Sequence, residues 1–292
     1  MENNYELAKS AAKKIRLLSL GLKGSSKKNA KLASIRPIDY IRWAEFEALL
    51  RMLHFNPGES VLDVASPQWF TLYLAACNPD VRFNYINILD SEIENYRIIA
   101  ANLGLKNLDY SKEDVRKLPF KPMSFDKVIS ISVLEHISPE NGGDIIAFKE
   151  IRRVLRNNGD MFITVPCKKV QNTVYMNGPV FERNNEGERT FFAREYDMDS
   201  FHQLVEVTNF FIAEEYRIEE RQGLFAVDYW EWGDGRNKIF WPKLIRARRI
   251  LERIIGYSFD ETLATRHLLV TKHQIGRLIN VAARLKKNSP DN

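Results

Sequence analysis

The chain has 292 residues, 45% hydrophobic and 28% charged, with a formal net charge of +5. That is room for one α/β domain of ordinary size with extensions, and the composition excludes disordered, collagenous and low-complexity classes. Two cysteines, Cys77 and Cys167, are too few for a disulfide scaffold and lead us to expect a reduced, cytoplasmic setting. No apolar run approaches the roughly 20 residues of a membrane span. The amino terminus carries Glu2 and Glu6 with no long apolar core, so it does not read as a secretory signal.

Charge is unevenly placed. Residues 1–36 hold nine Lys/Arg against two acids, 236–256 hold seven against one, and 272–292 hold five against one. These stretches carry +17, which leaves −12 for the remainder. An acidic body with basic appendages is the reverse of a basic nucleic-acid cleft, so no nucleic-acid partner is expected. The expected organisation is a basic helical extension (1–53), a core (54–222), an inserted segment (223–265) and a last strand with a basic helical tail (266–292).

In chain order, Tyr5 to Leu22 reads as an amphipathic helix, with Leu7, Ala11, Ile15, Leu18 and Leu22 on one face and Lys9, Lys13 and Arg16 on another. Gly24-Ser-Ser breaks it, and a second helix, about Pro37 to Leu53, leads into the core. Asn56-Pro-Gly58 turns the chain into strand Ser60 to Val64, followed by Ala65-Ser-Pro-Gln-Trp69 and a helix from Phe70 to Cys77. Strand Val81 to Ile88 leads to Asp90-Ser-Glu, which reads as a helix start for Ser91 to Leu103. A short strand, Asp109 to Lys112, precedes Glu113-Asp-Val115.

From Lys127 to Leu134 the run is β-branched or apolar at almost every step, broken only by Ser130 and Ser132, as in a strand buried on both faces of a parallel sheet. Glu135-His136 follows its carboxyl end, where open α/β sheets bind ligands. A helix, Asp144 to Leu155, stops at Asn157-Asn-Gly159 before a second buried strand, Met161 to Val165. Lys168 to Asp197 has no clear periodicity and is rich in aromatics and arginines, so it is either a substrate lid or a surface wrap. Helix Ser200 to Thr208 and strands Phe211 to Glu219 and Arg266 to Lys272 complete the sheet. Basic amphipathic helices are expected over Pro242 to Ile255 and around Ile275, Leu278, Ile279 and Ala282. Such helices either pack on the domain or meet an anionic membrane surface.

The series Leu118-Pro-Phe120, Ser124-Phe-Asp126, Ser132-Val-Leu-Glu-His-Ile137 and Glu150 to Pro166 resembles class I S-adenosylmethionine-dependent methyltransferases over roughly residues 55–170. The likeness is greatest to the group that includes quinone-biosynthesis and small-molecule methyltransferases. It implies a Rossmann-like, seven-stranded, mostly parallel sheet with helices on both faces and S-adenosylmethionine as cofactor. By that register the chain departs from the family's glycine-rich loop, placing Ala65, Pro67 and Trp69 where three glycines are usual.

The resemblance implies that Asp63, Ala65, Ser66 and Ser132 meet the cofactor, Asn87 or Asp90 its ribose, and Asp114 and Val115 its adenine. Asp90 reads equally as a helix cap, and Asp114 otherwise as a loop acid. His136, with Glu135 beside it, is the candidate general base or else a hydrogen-bonded linker. Tyr175, Arg183, Arg194 and Tyr196 are candidate substrate contacts, the expected acceptor being a small or lipid-like molecule. No metal-ligand spacing and no serine nucleophile elbow is present. The lost glycines leave open a second reading, a methyltransferase-like binding or scaffolding protein without catalysis.

Overall fold

In a computed structural model the described residues are 5–181, 189–221, 247–248, 250–252 and 254–288, with 25–29 described by backbone alone. The order is α1 (Glu6–Gly21), α2 (Gly24–Ile35), α3 (Tyr40–Met52), β1 (Ser60–Val64), α4 (Gln68–Cys77), β2 (Arg82–Asn87), α5 (Asp90–Asn102), β3 (Leu108–Lys112) and β4 (Phe125–Ile131). A 3₁₀ turn, Leu134–His136, leads to α6 (Gly143–Val154), β5 (Leu155–Pro166), β6 (Asn172–Asn177), β7 (Arg189–Glu195), α7 (Met198–Val207) and β8 (Phe210–Glu220). Then come α8 (Asp260–His267), β9 (Leu268–Thr271) and β10 (Arg277–Lys287).

Eight strands form one sheet in the order β3-β2-β1-β4-β5-β10-β8-β9. The pairings from β3 through β5 are parallel, whereas β10 runs antiparallel to both β5 and β8, and β9 antiparallel to β8. Alternation along the central strands splits the interior into two cores. Val61, Ile129, Phe162 and Ala282 face the core closed by α1 and α3–α5. Leu62, Val128, Met161 and Val281 face the core closed by α6 and α7. Gly159 lets β4 and β5 approach: a Cβ there would lie 2.7 Å from both the Asp126 carbonyl and the Leu155 side chain.

Several expectations require correction. The sheet has eight strands, not seven. The expected basic helix after Gln274 is β10, an inner strand. Its Val281, Ala282 and Ala283 are buried in succession because helices cover both sheet faces. Its basic residues are held in the sheet: Arg277 pairs with Glu220, Arg284 with Glu214 and Lys286 with Asp160. The strand expected over 266–272 begins only at Leu268, as edge strand β9 after α8.

The first helix ends at Gly21, close to the expected break, but Gly24 then opens a further helix, α2. On α1 the buried face is Ala8, Ala11, Ala12 and Ile15, whereas Leu7 is exposed. The segment expected to be irregular contains the β6–β7 hairpin. Most of the predicted helix over Pro242 to Ile255 lies outside the described residues; the described positions 247–248, 250–252 and 254–255 are helical.

Candidate active site

The carboxyl ends of β1, β2 and β4 open onto a cavity of about 530 Å³. It is lined by Val64 and Ala65 at one end, Asn87 to Leu89 and Glu92 along one wall, and Asp114 to Arg116 at the other end. Ser132, Val133, His136 and Ile137 form its floor. A second cavity, about 380 Å³, lies between α3, the β6–β7 hairpin and the start of β10, and it also reaches Ser132 and His136. The wall between the two is therefore the turn that follows β4.

The loop after β1 keeps the conformation that glycine would favour although it lacks glycine. Ala65 has φ +51°, in the left-handed region. Asp63 does not reach the cavity. It is fully buried, accepts from the Ser66 N–H at 3.0 Å and the Thr71 hydroxyl at 2.7 Å, and so braces the loop from beneath. Burial pushes its carboxyl up to about 6.

Asn87 lines the cavity, but its amide nitrogen donates to the Tyr85 hydroxyl and to Glu92 (both 3.2 Å), and its oxygen accepts from the Leu89 N–H. Asp90 is turned away, paired with Lys112 at 2.8 Å, and does not line the cavity. The acid on this wall is Glu92, two residues further into α5. The sequence reading missed it; Asp90-Ser-Glu92 held the signal, because a helix's first turn can present either acid. Asp114 lines the cavity with a carboxylate forked onto Arg116 (2.6 Å), which holds it below the usual carboxylate range. Val115 is a buried wall residue.

Ser132, at φ +48°, donates to Glu45 of α3 at 2.5 Å. Glu45 is completely buried and also accepts from Thr164 (2.8 Å), Asn280 (2.9 Å) and Arg42, tying α3 to the ends of β4, β5 and β10. His136 Nδ1 lies 2.7 Å from the Phe192 carbonyl oxygen. A carbonyl can only accept, so Nδ1 carries the hydrogen and the lone pair of the neutral ring is on Nε2. The ring packs edge-on against Phe181 and Phe192. Glu135, buried beside it, has one oxygen 3.7 Å from Nε2 and the other without a hydrogen-bond partner among the described residues. Burial pushes this carboxyl up to about 8.

The residues expected to contact the acceptor make other bonds. Tyr175 donates to Glu140 (2.6 Å) and Tyr196 to Asp144 (2.7 Å). Arg194 donates to the carbonyls of Glu135, Ile137, Pro139 and Glu140, clamping the turn that carries His136. None of the three lines the second cavity, and Arg183 lies outside the described residues. The lining comes instead from Tyr40, Ile41 and Arg42 of α3, Val174 and Phe192 of the hairpin, and Leu278 with Ile279 of β10. Among the described residues no group of three or more His, Cys, Asp or Glu could hold a metal ion.

A parallel sheet continued by an antiparallel inner strand, with a cavity across the ends of β1, β2 and β4, defines a Rossmann-like class I methyltransferase fold. The family model described as a methyltransferase domain matches residues 55–213, more than half of the chain. The chain belongs to this family of S-adenosylmethionine-dependent methyltransferases, and S-adenosylmethionine is the cofactor that membership assigns.

A curated relative, an uncharacterized protein of Methanocaldococcus jannaschii, is 26% identical over 158 residues, which is 50% of this chain and 65% of that protein. The chain thus spans less than two thirds of that relative's length. Among solved structures, an S-adenosylmethionine-dependent methyltransferase from Methanosarcina mazei aligns with TM-score 0.51 at 15% identity, covering 82% of this chain and 96% of its own. The [4+2]-cyclase SpnF aligns with TM-score 0.51 at 17% identity, covering 84% and 83%. These likenesses show the fold, which hosts more than one chemistry.

The first cavity fits the cofactor. It has the volume of a small-molecule site, a turn held at positive φ by Ala65, the Glu92 carboxylate on one wall and an apolar slot at Val115 and Ile137.

Proposed function

We propose that the protein transfers a methyl group from S-adenosylmethionine to a small-molecule or lipid-like acceptor held in the cavity between α3, the β6–β7 hairpin and β10. The observation that carries this reading is that the two cavities meet at Ser132 and His136. When bound, S-adenosylmethionine supplies a methyl group activated by a sulfonium.

The chain's contribution is alignment and proton acceptance. Glu45 fixes Ser132 and hence the dividing turn. The Phe192 carbonyl fixes the His136 tautomer with the lone pair on Nε2, the atom that takes a proton from an acceptor hydroxyl or amine in this reading. Phe181 and Phe192 limit water around that ring. Glu135, neutral at pH 7, adds no competing negative charge.

Contact with an anionic membrane would draw on α1, where exposed Leu17 and Leu20 share the surface with exposed Lys9 and Lys13. It would not draw on β10.

The test is calorimetric titration with S-adenosylmethionine and S-adenosylhomocysteine, followed by labelled-methyl transfer to fractionated metabolites and lipids. Both nucleosides should bind, and His136→Ala should lower turnover about 10²- to 10⁴-fold. No heat with either nucleoside at millimolar concentration would end the reading. Sedimentation of the protein with neutral and anionic vesicles alike, or with neither, would remove the membrane component.

A further inference from the structure

The loop after β1 has few donors to offer an anion. The Ala65 N–H donates to the Ile86 carbonyl at 2.9 Å, the Ser66 N–H to Asp63 at 3.0 Å, and Pro67 has no N–H. Yet this loop opens onto a third cavity, about 450 Å³, which adjoins the cofactor cavity and shares Ala65, Glu92, Ser132 and Val133 with it. Among the described residues two charged side chains line it, and they are of opposite sign: Arg42 from α3 and Glu92 from α5.

Arg42 is a fifth exposed and keeps one hydrogen-bonded partner among the described residues, Glu45. A guanidinium has five N–H donors in a planar fork, so most of that fork remains available. Ser66 lines the same mouth. It is 1% exposed, and its buried hydroxyl lies near the Asp63 carboxylate without a well-formed hydrogen bond among the described residues. A hydroxyl so placed can turn to donate to a ligand oxygen in the cavity it lines.

We propose that Arg42 and Ser66 form a carboxylate-binding site for the amino-acid end of the cofactor, taking over the role that glycine N–H groups cannot fill in this loop. This rests on the cofactor reading above. Arg42 takes the carboxylate and Ser66 donates a further hydrogen bond to it. Glu92, across the mouth, is the complementary partner for the ammonium of the same zwitterion. Arg42 lies before residue 55, outside the span matched by the family model. The site therefore joins the helical extension to cofactor binding.

The experiment compares S-adenosylhomocysteine with methylthioadenosine, which keeps the adenosine and thioether but lacks the amino-acid end. Calorimetry is run on the full chain and on Arg42→Met, Arg42→Lys and Ser66→Ala. Arg42→Met should weaken S-adenosylhomocysteine about ten- to a hundredfold while methylthioadenosine stays within about twofold. Arg42→Lys keeps the charge but loses the fork, and Ser66→Ala loses one neutral donor. Each should show a smaller loss confined to S-adenosylhomocysteine.

Unchanged S-adenosylhomocysteine affinity in Arg42→Met, or equal weakening of both ligands, overturns the proposal. Should Arg42→Met fail to fold, the same criterion applies to Arg42→Lys, which retains the Glu45 pairing. If the unaltered protein binds neither nucleoside, the cofactor reading itself falls, a result distinct from non-selective loss in the variants.

Discussion

Glu45 is the most consequential single side chain outside the family-matched span, and its removal can be worked through bond by bond. One of its oxygens accepts from Ser132 at 2.5 Å, Thr164 at 2.8 Å and Asn280 at 2.9 Å; the other accepts from Arg42. Glu45→Ala strands three neutral donors and a guanidinium around a fully buried void. Each stranded neutral donor costs about 1–3 kcal/mol, and breaking a buried charge pair about 3–5 kcal/mol. Arg42 can swing toward solvent, so the three neutral donors set the total at about 3–9 kcal/mol, a large part of a typical domain's stability.

Glu45→Gln is the informative partner. Its carbonyl oxygen can keep the three neutral donors, but its amide then faces Arg42 donor to donor, and the loss should be only about 1–3 kcal/mol. Urea denaturation at neutral pH, read as a midpoint shift at constant slope, measures both. An alanine variant within about 1 kcal/mol of the unaltered protein would refute the idea that this carboxylate joins α3 to the sheet. So would a glutamine variant as damaging as alanine.

Further outcomes follow from other groups. Folding raises the Glu135 carboxyl from an ordinary 4.5 to about 8, so the native state holds more protons than the unfolded chain between those values. Its contribution to stability is therefore present at low pH and falls as pH rises through that window, by up to about 1.4 kcal/mol per pH unit. Denaturation midpoints measured from about pH 5 to 9 should lose that component in Glu135→Gln, and an unaltered slope would contradict it. Val281→Asp puts a charge in the middle of an inner strand. It should cost more than about 3 kcal/mol or prevent folding, whereas on an exposed helix the effect would stay within about 0.5 kcal/mol. Ala65→Gly relieves a left-handed alanine and should raise stability by up to about 1 kcal/mol with cofactor affinity retained; a destabilised Gly variant would mean that the turn is not strained.

The sequence determined the parallel half of the fold. The run from Lys127 to Leu134 is apolar throughout because that strand is buried on both faces, and the loops after β1, β3 and β4 follow from where those runs stop. Val281 to Ala283 misled for the same physical reason. Small apolar residues buried on both faces of an inner strand leave no period of two, and the basic residues flanking them imitate the polar face of a helix.

The hairpin of β6 and β7 was hidden because its strands lack a clean alternation: adjacent Thr190 and Phe191 are both buried in β7, and a bulge at Val174–Tyr175 breaks the period of β6. Only tertiary structure could decide which acid reaches the cofactor wall. Asp90 and Glu92 are equivalent in composition and two positions apart in one helical turn, and a rotation of about 200° sends one to Lys112 and the other to the cavity. The roles of Arg42 and Glu45 were likewise invisible, since they depend on α3 docking across strand ends 87 to 235 residues distant in the chain. Side-chain chemistry is local and legible; which groups meet is set by how the helices close over the sheet.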